Sequence, residues 1–392
     1  MTRPLSRFLL VSVLLLGSIS AGAQSLPQPA MPPQQVQAQT QAQALPPTPT
    51  AGTPALGRLR VFDDWAVACD NRLSCSAVSL LPQGAGEAYS VLVWIGREGG
   101  PDGEATVELS GAYELRGKID LFVDNVSAGQ LIAARDMARA NGPSALKLIR
   151  RLGSSYSFDL RVGKASIAAP SLSGLAQALR YMDEQQGRVG SAGALAAIGD
   201  KPASLARPLP EDIHFPMAAT DMPLTGPVEL TAEEQQGARA LAKCGGRPRE
   251  LPIDLHPLDA GHVLALIACD AGADNVSSIV LVGMGGSGAR NFQYARFDLM
   301  PGATGEPGVP PLIVNAQWNP VRGSLSSFAR GRPLGDCGTS ETYVWDGTMF
   351  RLTQARAMPV CRGAWEWPVL WSATPREAGP VRTASGGAAR SP

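Results

Sequence analysis

The chain has only three histidines, His214, His256 and His262, and the last two crowd with Asp254 and Asp259 into a stretch of nine residues. Carboxylate and imidazole together suit zinc or another divalent ion, and Asp254 and His256, two apart, share one face of a strand. Pro257 and Gly261 interrupt that geometry, and a polar hairpin loop accounts for the same residues. A second candidate is Gly283-Met284-Gly285-Gly286-Ser287-Gly288, which holds the string G-x-G-x-x-G after the apolar run Ile279 to Val282. A dinucleotide site needs those glycines to open a helix whose N-terminus meets the pyrophosphate. Here the next segment alternates Phe292 and Tyr294 as a strand does, so the run reads as a glycine-rich β-loop. No G-x-S-x-G elbow is present, and three histidines leave almost no candidate for a Ser-His-Asp triad. Carboxylate pairs need no proximity in sequence. Asp63-Asp64 and Asp183-Glu184 are adjacent, but neighbouring side chains diverge, and both pairs read as solvated surface. Arg322, Arg330 and Arg332 surround Ser324 to Phe328, with Arg351 nearby. Together with Trp367 they form a candidate ligand patch suited to an anion. Trp365, Trp367 and Trp371 suit a glycan or peptide groove, since aromatic faces stack on apolar ligand surfaces; packing around a disulfide is the competing reading. No catalytic residue, metal ligand or cofactor is assigned.

The elements that must position these residues begin with an export signal. Arg3 and Arg7 precede the apolar stretch Phe8 to Leu16, and Ala21-Gly22-Ala23 fits a small-x-small cleavage site. The stretch is too short to span a bilayer, so no transmembrane segment is expected after cleavage. Export makes Cys69, Cys75, Cys244, Cys269, Cys337 and Cys361 informative. An even count in an oxidising compartment reads as three disulfides, and their sequential clustering favours Cys69–Cys75, Cys244–Cys269 and Cys337–Cys361. Lys plus Arg (34) balance Asp plus Glu (34), which excludes a nucleic-acid binder working through bulk charge. Gly (43) and Pro (33) are too frequent among 392 residues for a coiled coil.

Six domain-level segments follow. Residues 1–23 are the signal and 24–57 a disordered Pro/Gln-rich linker. Residues 58–200 form a β domain: Trp65/Val67/Cys69 alternate as a half-buried strand, Asp70-Asn71 turns, and Cys75 opens the next. Tyr89 to Ile95 is apolar on both faces, and Val107/Leu109, Ile119/Leu121/Val123 and Tyr156 to Val162 bring the count to about six. A short helix fits Ala145 to Leu152. Leu175, Ala178, Leu179 and Met182 recur at helical spacing, with Ser171 or Ser173 as N-cap and Gly187 as the stop. Residues 201–228 are a proline-rich connector. Residues 229–373 form a second β-rich, disulfide-braced domain, opened by the capping box Thr231-Ala232-Glu233-Glu234. Its strands are Val263 to Ala268, Ile279 to Val282, Phe292 to Leu299, Leu312 to Trp318 and Leu325 to Ala329. Tyr343-Val344-Trp345 and Met349 to Leu352 flank Asp346-Gly347, predicting a two-residue type I′ hairpin in which Trp345 pairs with Thr348 and Tyr343 with Phe350. Residues 374–392 form a disordered tail. The fold class is mainly β with a few helices (α+β), two antiparallel β-rich domains after the signal and linker.

Phe62-Asp63-Asp64-Trp65-Ala66-Val67-Ala68-Cys69-Asp70-Asn71 with Cys75 resembles the opening of the domain of unknown function 1176 family. So do Ser171 to Leu179 with Met182 to Arg188, then Gly335-Asp336-Cys337-Gly338, Trp345-Asp346-Gly347 and Cys361-Arg362-Gly363. The N-terminal half is also similar to the invasion-associated locus B family, which shares the Trp-x-Val-x-Cys opening and the Ser-Leu-x-Gly helix. The first likeness implies an architecture and no chemistry; the second implies export and a link to host-cell invasion. The expected function is a periplasmic or secreted bacterial binding or interaction module, with an inhibitor or host-interaction role. Its expected partner is an envelope protein or a glycan, not a nucleic acid. The alternative is a periplasmic hydrolase using carboxylates in a cleft between the domains. Two convergent carboxylates in a deep pocket would favour the hydrolase; a shallow, aromatic surface would favour the binding module.

Overall fold

The computed structural model describes residues 53–85, 91–111, 115–218, 228–244, 251–286, 288–301 and 310–377. The signal, most of the linker, the centre of the connector and residues 378–392 lie outside them.

The N-terminal half is a ten-stranded antiparallel sheet. Its strands are β1 (Arg60–Phe62), β2 (Trp65–Cys69), β3 (Cys75–Ser79), β4 (Val91–Arg97), β5 (Ala105–Gly111), β6 (Gly117–Val123), β7 (Val126–Ala134), β8 (Met137–Asn141), β9 (Phe158–Val162) and β10 (Ala165–Ala168). They are ordered β1-β2-β3-β4-β5-β8-β7-β6-β9-β10. Helices α1 (Gly142–Gly153) and α2 (Leu175–Gln186) cover one face. Trp65, Val67, Val93, Ile95, Val107 and Leu109 point to that face and pack with Ile149, Leu179 and Met182.

The C-terminal half starts with β11 (His214–Met217) and α3 (Ala232–Ala242). A sheet follows, made of β12 (Asp254–Asp259), β13 (His262–Ala271), β14 (Val276–Met284) and β15 (Asn291–Tyr294), with β16 (Leu312–Val314) also on β14. Next come β17 (Gln317–Asn319), β18 (Ser324–Arg330), β19 (Gly338–Trp345), β20 (Phe350–Met358) and β21 (Val369–Ser372), paired in that order. Last, β22 (Thr374–Glu377) runs parallel to β11, so regular structure extends past the point where composition predicts the tail.

Alternation within the strands sets how these sheets stack. Leu325, Tyr343, Phe350 and Leu352 face Leu264, Leu266, Val280 and Val282 of β13 and β14. The opposite face of β13–β14 places Ala265, Ile267, Ile279 and Leu281 on α3. The opposite face of the β17–β21 sheet places Phe328 and Met358 against Ala66, Val78, Leu80 and Leu92 of the N-terminal sheet. The layers therefore run α1/α2, ten-stranded sheet, β17–β21, β12–β16, α3. Each half has its own core, and one smaller core belongs to both.

Arg362 fastens that shared layer. Its guanidinium donates to the Leu81 carbonyl (2.7 Å) and the Asp63 carbonyl (2.6 Å), and it pairs with the Asp64 carboxylate. Removing one partner of a largely buried pair leaves the other charge uncompensated. Arg362→Ala is therefore expected to cost about 2–3 kcal/mol, read as a lower urea midpoint at unchanged slope. A change within about 0.5 kcal/mol would show that the contact between the halves rests on apolar packing alone.

The six cysteines are joined as Cys69–Cys75, Cys244–Cys269 and Cys337–Cys361. The capping box forms at Thr231 and Glu234.

Several local expectations are corrected. Strand β2 is buried on both faces, not half-buried, because the C-terminal half covers its second face. The N-cap of α2 is Gly174 in the left-handed conformation (φ 88°), not Ser171 or Ser173. A Cβ there would fall 1.9 Å from the Phe62 carbonyl oxygen, and the Ser173 hydroxyl instead donates to Asp63 (3.1 Å). The β19–β20 loop spans four residues: Trp345 pairs with Phe350 and Tyr343 with Leu352. The Asp346 carboxylate drives this by accepting the Thr348 and Met349 N–H groups (2.8 Å each), an Asx-type closure that displaces the two-residue turn. Asp183 is fully buried instead of solvated. The Phe292–Leu299 strand ends at Tyr294, and Leu312–Trp318 breaks at Asn315, a left-handed residue (φ 48°).

Candidate functional site

Where the β17–β21 sheet stops covering the N-terminal sheet, a shelf is left on the latter's outer face. In β4, Val93 and Ile95 point to the helices, so Leu92, Trp94 and Gly96 point outward. The Trp94 indole reaches along its own strand over Gly96, where a Cβ would sit 2.1 Å from the ring, and it packs at the edge of the core shared by the two halves. Across the ladder, Trp94 pairs with Glu108, and Glu108 with Arg139 of β8. Glu108 accepts from Arg139 Nε at 2.8 Å and also from its Nη2; the arginine is half exposed and the carboxylate buried.

The segment between β20 and β21 forms the other wall. Trp365 is 36% exposed and donates its indole N–H to the Ser110 hydroxyl (3.0 Å), which lies beside Glu108 on β5. Glu366 follows, with no hydrogen-bond partner among the described residues. Burial, and then the Glu108 charge, push the Glu366 carboxyl above its ordinary range, against the opposing pull of Arg356 and Arg139. Arg356 donates to Gln354 (3.1 Å) and the Trp367 carbonyl (3.4 Å); burial pulls its pKa down while Glu366 raises it. Two carboxyl groups, two guanidiniums and two indoles thus lie close together along this edge of the sheet.

The residues singled out from sequence are dispersed. Arg332 is paired with the buried Asp336 carboxylate (2.6 Å). Arg330 lies over the Phe328 ring at 5.8 Å from its centroid, and Trp367 stacks on Phe328 at 5.0 Å. Trp367 is 4% exposed and donates to the Ala364 carbonyl, so it is core. Arg322 lies before the opposite end of β18, roughly 20 Å from Arg330 by strand rise. Arg351 is paired with Asp346 (2.6 Å). His214 is at the β11–β22 pair, near Arg376 (2.6 Å). His256 approaches Asp254 at 2.9 Å, whereas His262 is held by Asp259 at 2.7 Å, so the two Asp–His pairs are separate. Asp336, Cys337 and Cys361 come together, but the two sulfurs are joined and Asp336 takes Arg332 and the Gly363 N–H (2.7 Å), leaving no ligand set. The glycine-rich run leads into strand β15, with the Phe292 ring packed over Gly283; Ser287 lies outside the described residues.

Trp94, Glu108, Arg139, Arg356 and Glu366 were not singled out from sequence. A signal existed: Glu108 stands alone between Val107 and Leu109, a charge within an apolar strand.

A mainly β, three-disulfide fold with this shelf defines the class, and the family follows. The chain belongs to the DUF1176 family, described as protein of unknown function, which matches residues 59–374. It is similar to the uncharacterized protein YpfG of Escherichia coli (strain K12), with 27% identity over 349 residues, 82% of this chain and 95% of that protein. No solved structure matches. No helix among the described residues is long and apolar enough to cross a membrane.

Proposed function

We propose that the protein is an extracytoplasmic binding module for a glycan, with the Trp94–Trp365 shelf as its contact surface. Three disulfides and the N-terminal signal pattern support the location. The observation that carries the ligand class is the partly exposed Trp94 and Trp365 indoles beside the Glu108–Arg139 pair. Sugar rings offer an apolar C–H face and a rim of hydroxyls; a π-face takes the first, and planar carboxylate and guanidinium groups take the second. The balanced charge selects neither a polyanion nor a polycation. A host-surface role, implied by the likeness to invasion-associated locus B proteins, would use the same shelf.

The test is calorimetric titration of the full chain with the neutral oligomers hexa-N-acetylchitohexaose, cellohexaose and maltohexaose. One of them is expected to bind, and Trp94→Ala to weaken it roughly tenfold, about 1.4 kcal/mol. Binding that survives both Trp94→Ala and Trp365→Ala would place the ligand elsewhere. A second reading, a hydrolase, rests on the Glu366 carboxyl, raised by burial and by the Glu108 charge, lying beside that second, arginine-paired carboxylate. Release of reducing ends that Glu366→Gln abolishes would select the hydrolase over the binding module.

A further inference from the structure

A separate cavity of about 240 Å³ opens between the β12–β16 and β17–β21 sheets at the β19–β20 loop. Strand alternation explains its lining. His262, Val282 and Met284 share the inner face of their sheet with Leu264 and Val280, but stand at its open end, where no further layer of side chains closes the core. Trp345 walls the opposite side, and Gln293 sits at the rim.

The polar floor is unusually ordered. Asp259 accepts from His262 Nδ1 (2.7 Å), the Trp345 indole N–H (2.7 Å) and the Gly261 N–H (2.9 Å). Burial opposes ionisation of Asp259, but these donors, with the charge that His262 can carry, hold its carboxyl below the ordinary range. The carboxylate is therefore satisfied from behind and fixes the imidazole through Nδ1. That leaves Nε2, with no partner among the described residues, as the ring atom offered to the cavity. Such an orienting carboxylate also serves catalytic histidines, yet the hydroxyls on the lining are committed elsewhere, Thr348 donating to Asp346 (2.8 Å) and Tyr294 to the Leu241 carbonyl (2.6 Å). The dyad thus presents a hydrogen-bonding, proton-accepting ring and no nucleophile.

We propose that this cavity binds a small monocarboxylic acid with a compact apolar body, its carboxyl group on His262 Nε2 and its body against Trp345, Val282 and Met284. A mostly apolar cavity with one or two fixed polar groups is the usual form of a small-ligand site. The acid is chosen over an amine because Arg296 also belongs to the lining, a permanent cation that favours a carboxylate and disfavours an ammonium beside it.

The experiment titrates the full chain with phenylacetate and hexanoate, and with 2-phenylethanol and phenethylamine as neutral and cationic matches. At least one acid is expected to bind tenfold or more tightly than the alcohol, with the amine weakest. His262→Gln is expected to cut that preference at least threefold while leaving residual binding of the apolar bodies, and Arg296 on the lining keeps the remainder. His262 begins a strand and is partly exposed, so the variant should fold; its melting curve checks this. Val282→Trp, which fills the cavity, gives a second variant that must abolish all binding. Equal affinity for acid and alcohol, an acid preference unchanged by His262→Gln, or no acid binding up to about 10 mM would each overturn the proposal. Trp94→Ala should leave these affinities unchanged, so the outcome is separable from that of the glycan shelf.

Discussion

Asp183→Ala is expected to cost about 3–5 kcal/mol, the largest loss from any single side chain in the N-terminal half. The carboxylate is fully buried and accepts three consecutive backbone N–H groups, from Leu195 (2.7 Å), Ala196 (2.9 Å) and Ala197 (2.9 Å). Hydrogen bonds to a charged group contribute about 1.5–3 kcal/mol each before non-additivity, and orphaned buried donors carry their full desolvation penalty. The charge also faces two buried cations. Burial, and then the Arg188 charge, pull Arg97 down to about 10, with Asp183 opposing. Arg188, itself fully buried, donates to Gln186 (3.0 Å) and to the Pro101 carbonyl (3.4 Å). Removing Asp183 thus leaves three N–H groups and two guanidiniums without their anion. Urea denaturation should show the lost midpoint, and Asp183→Asn, which keeps an acceptor but not the charge, should fall between. A loss below about 1 kcal/mol for the alanine variant would mean that water replaces the carboxylate and that the 195–197 turn is held by packing.

The same residue shows what the sequence could and could not reveal. The helix over Leu175–Gln186 is legible from its apolar spacing, and Asp183, eight residues after Leu175, falls on that very stripe. A carboxylate on a buried face was therefore readable, but its partners lie in the turn that follows the helix and leave no periodic trace. Strand β7 escapes pattern reading for the opposite reason. Its outward residues meet solvent, so Val126 and Ile132 are 61% and 67% exposed and hydrophobicity does not alternate with burial. Strand β8, Met-Ala-Arg-Ala-Asn, has only small apolar residues on its inner face. The shelf was hidden for a topological reason. Glu108, Arg139 and Glu366 are brought together by cross-strand register and by a segment more than two hundred residues away, neither of which is encoded locally. Disulfide pairs, by contrast, are near neighbours in sequence, at separations of 6, 25 and 24.

The β19–β20 loop carries the second large effect. Trp345→Ala is expected to cost about 3–5 kcal/mol, the usual range for a buried aromatic. The indole is 4% exposed and its ring lies 5.2 Å from Phe350 and 5.3 Å from His262. Its cross-strand partner is Phe350, so the contact is direct rather than diagonal. Truncation would open the core to the neighbouring cavity and remove one of the donors to Asp259. Trp345→Phe separates these contributions, since it keeps an aromatic body and removes only the N–H to Asp259; its cost should be about 1–2 kcal/mol. The sign with pH follows from that bond. Asp259 has a depressed folded-state pKa, so its contribution is full above the unfolded carboxyl value near 4 and fades as pH falls through the folded value. The gap in stability between the native chain and Trp345→Phe should accordingly be widest at neutral pH and close in acid. Urea midpoints at pH 7 and about pH 3 measure it. A gap that stays constant across that range would mean the indole acts by shape alone, and that His262 is oriented without help from the tryptophan.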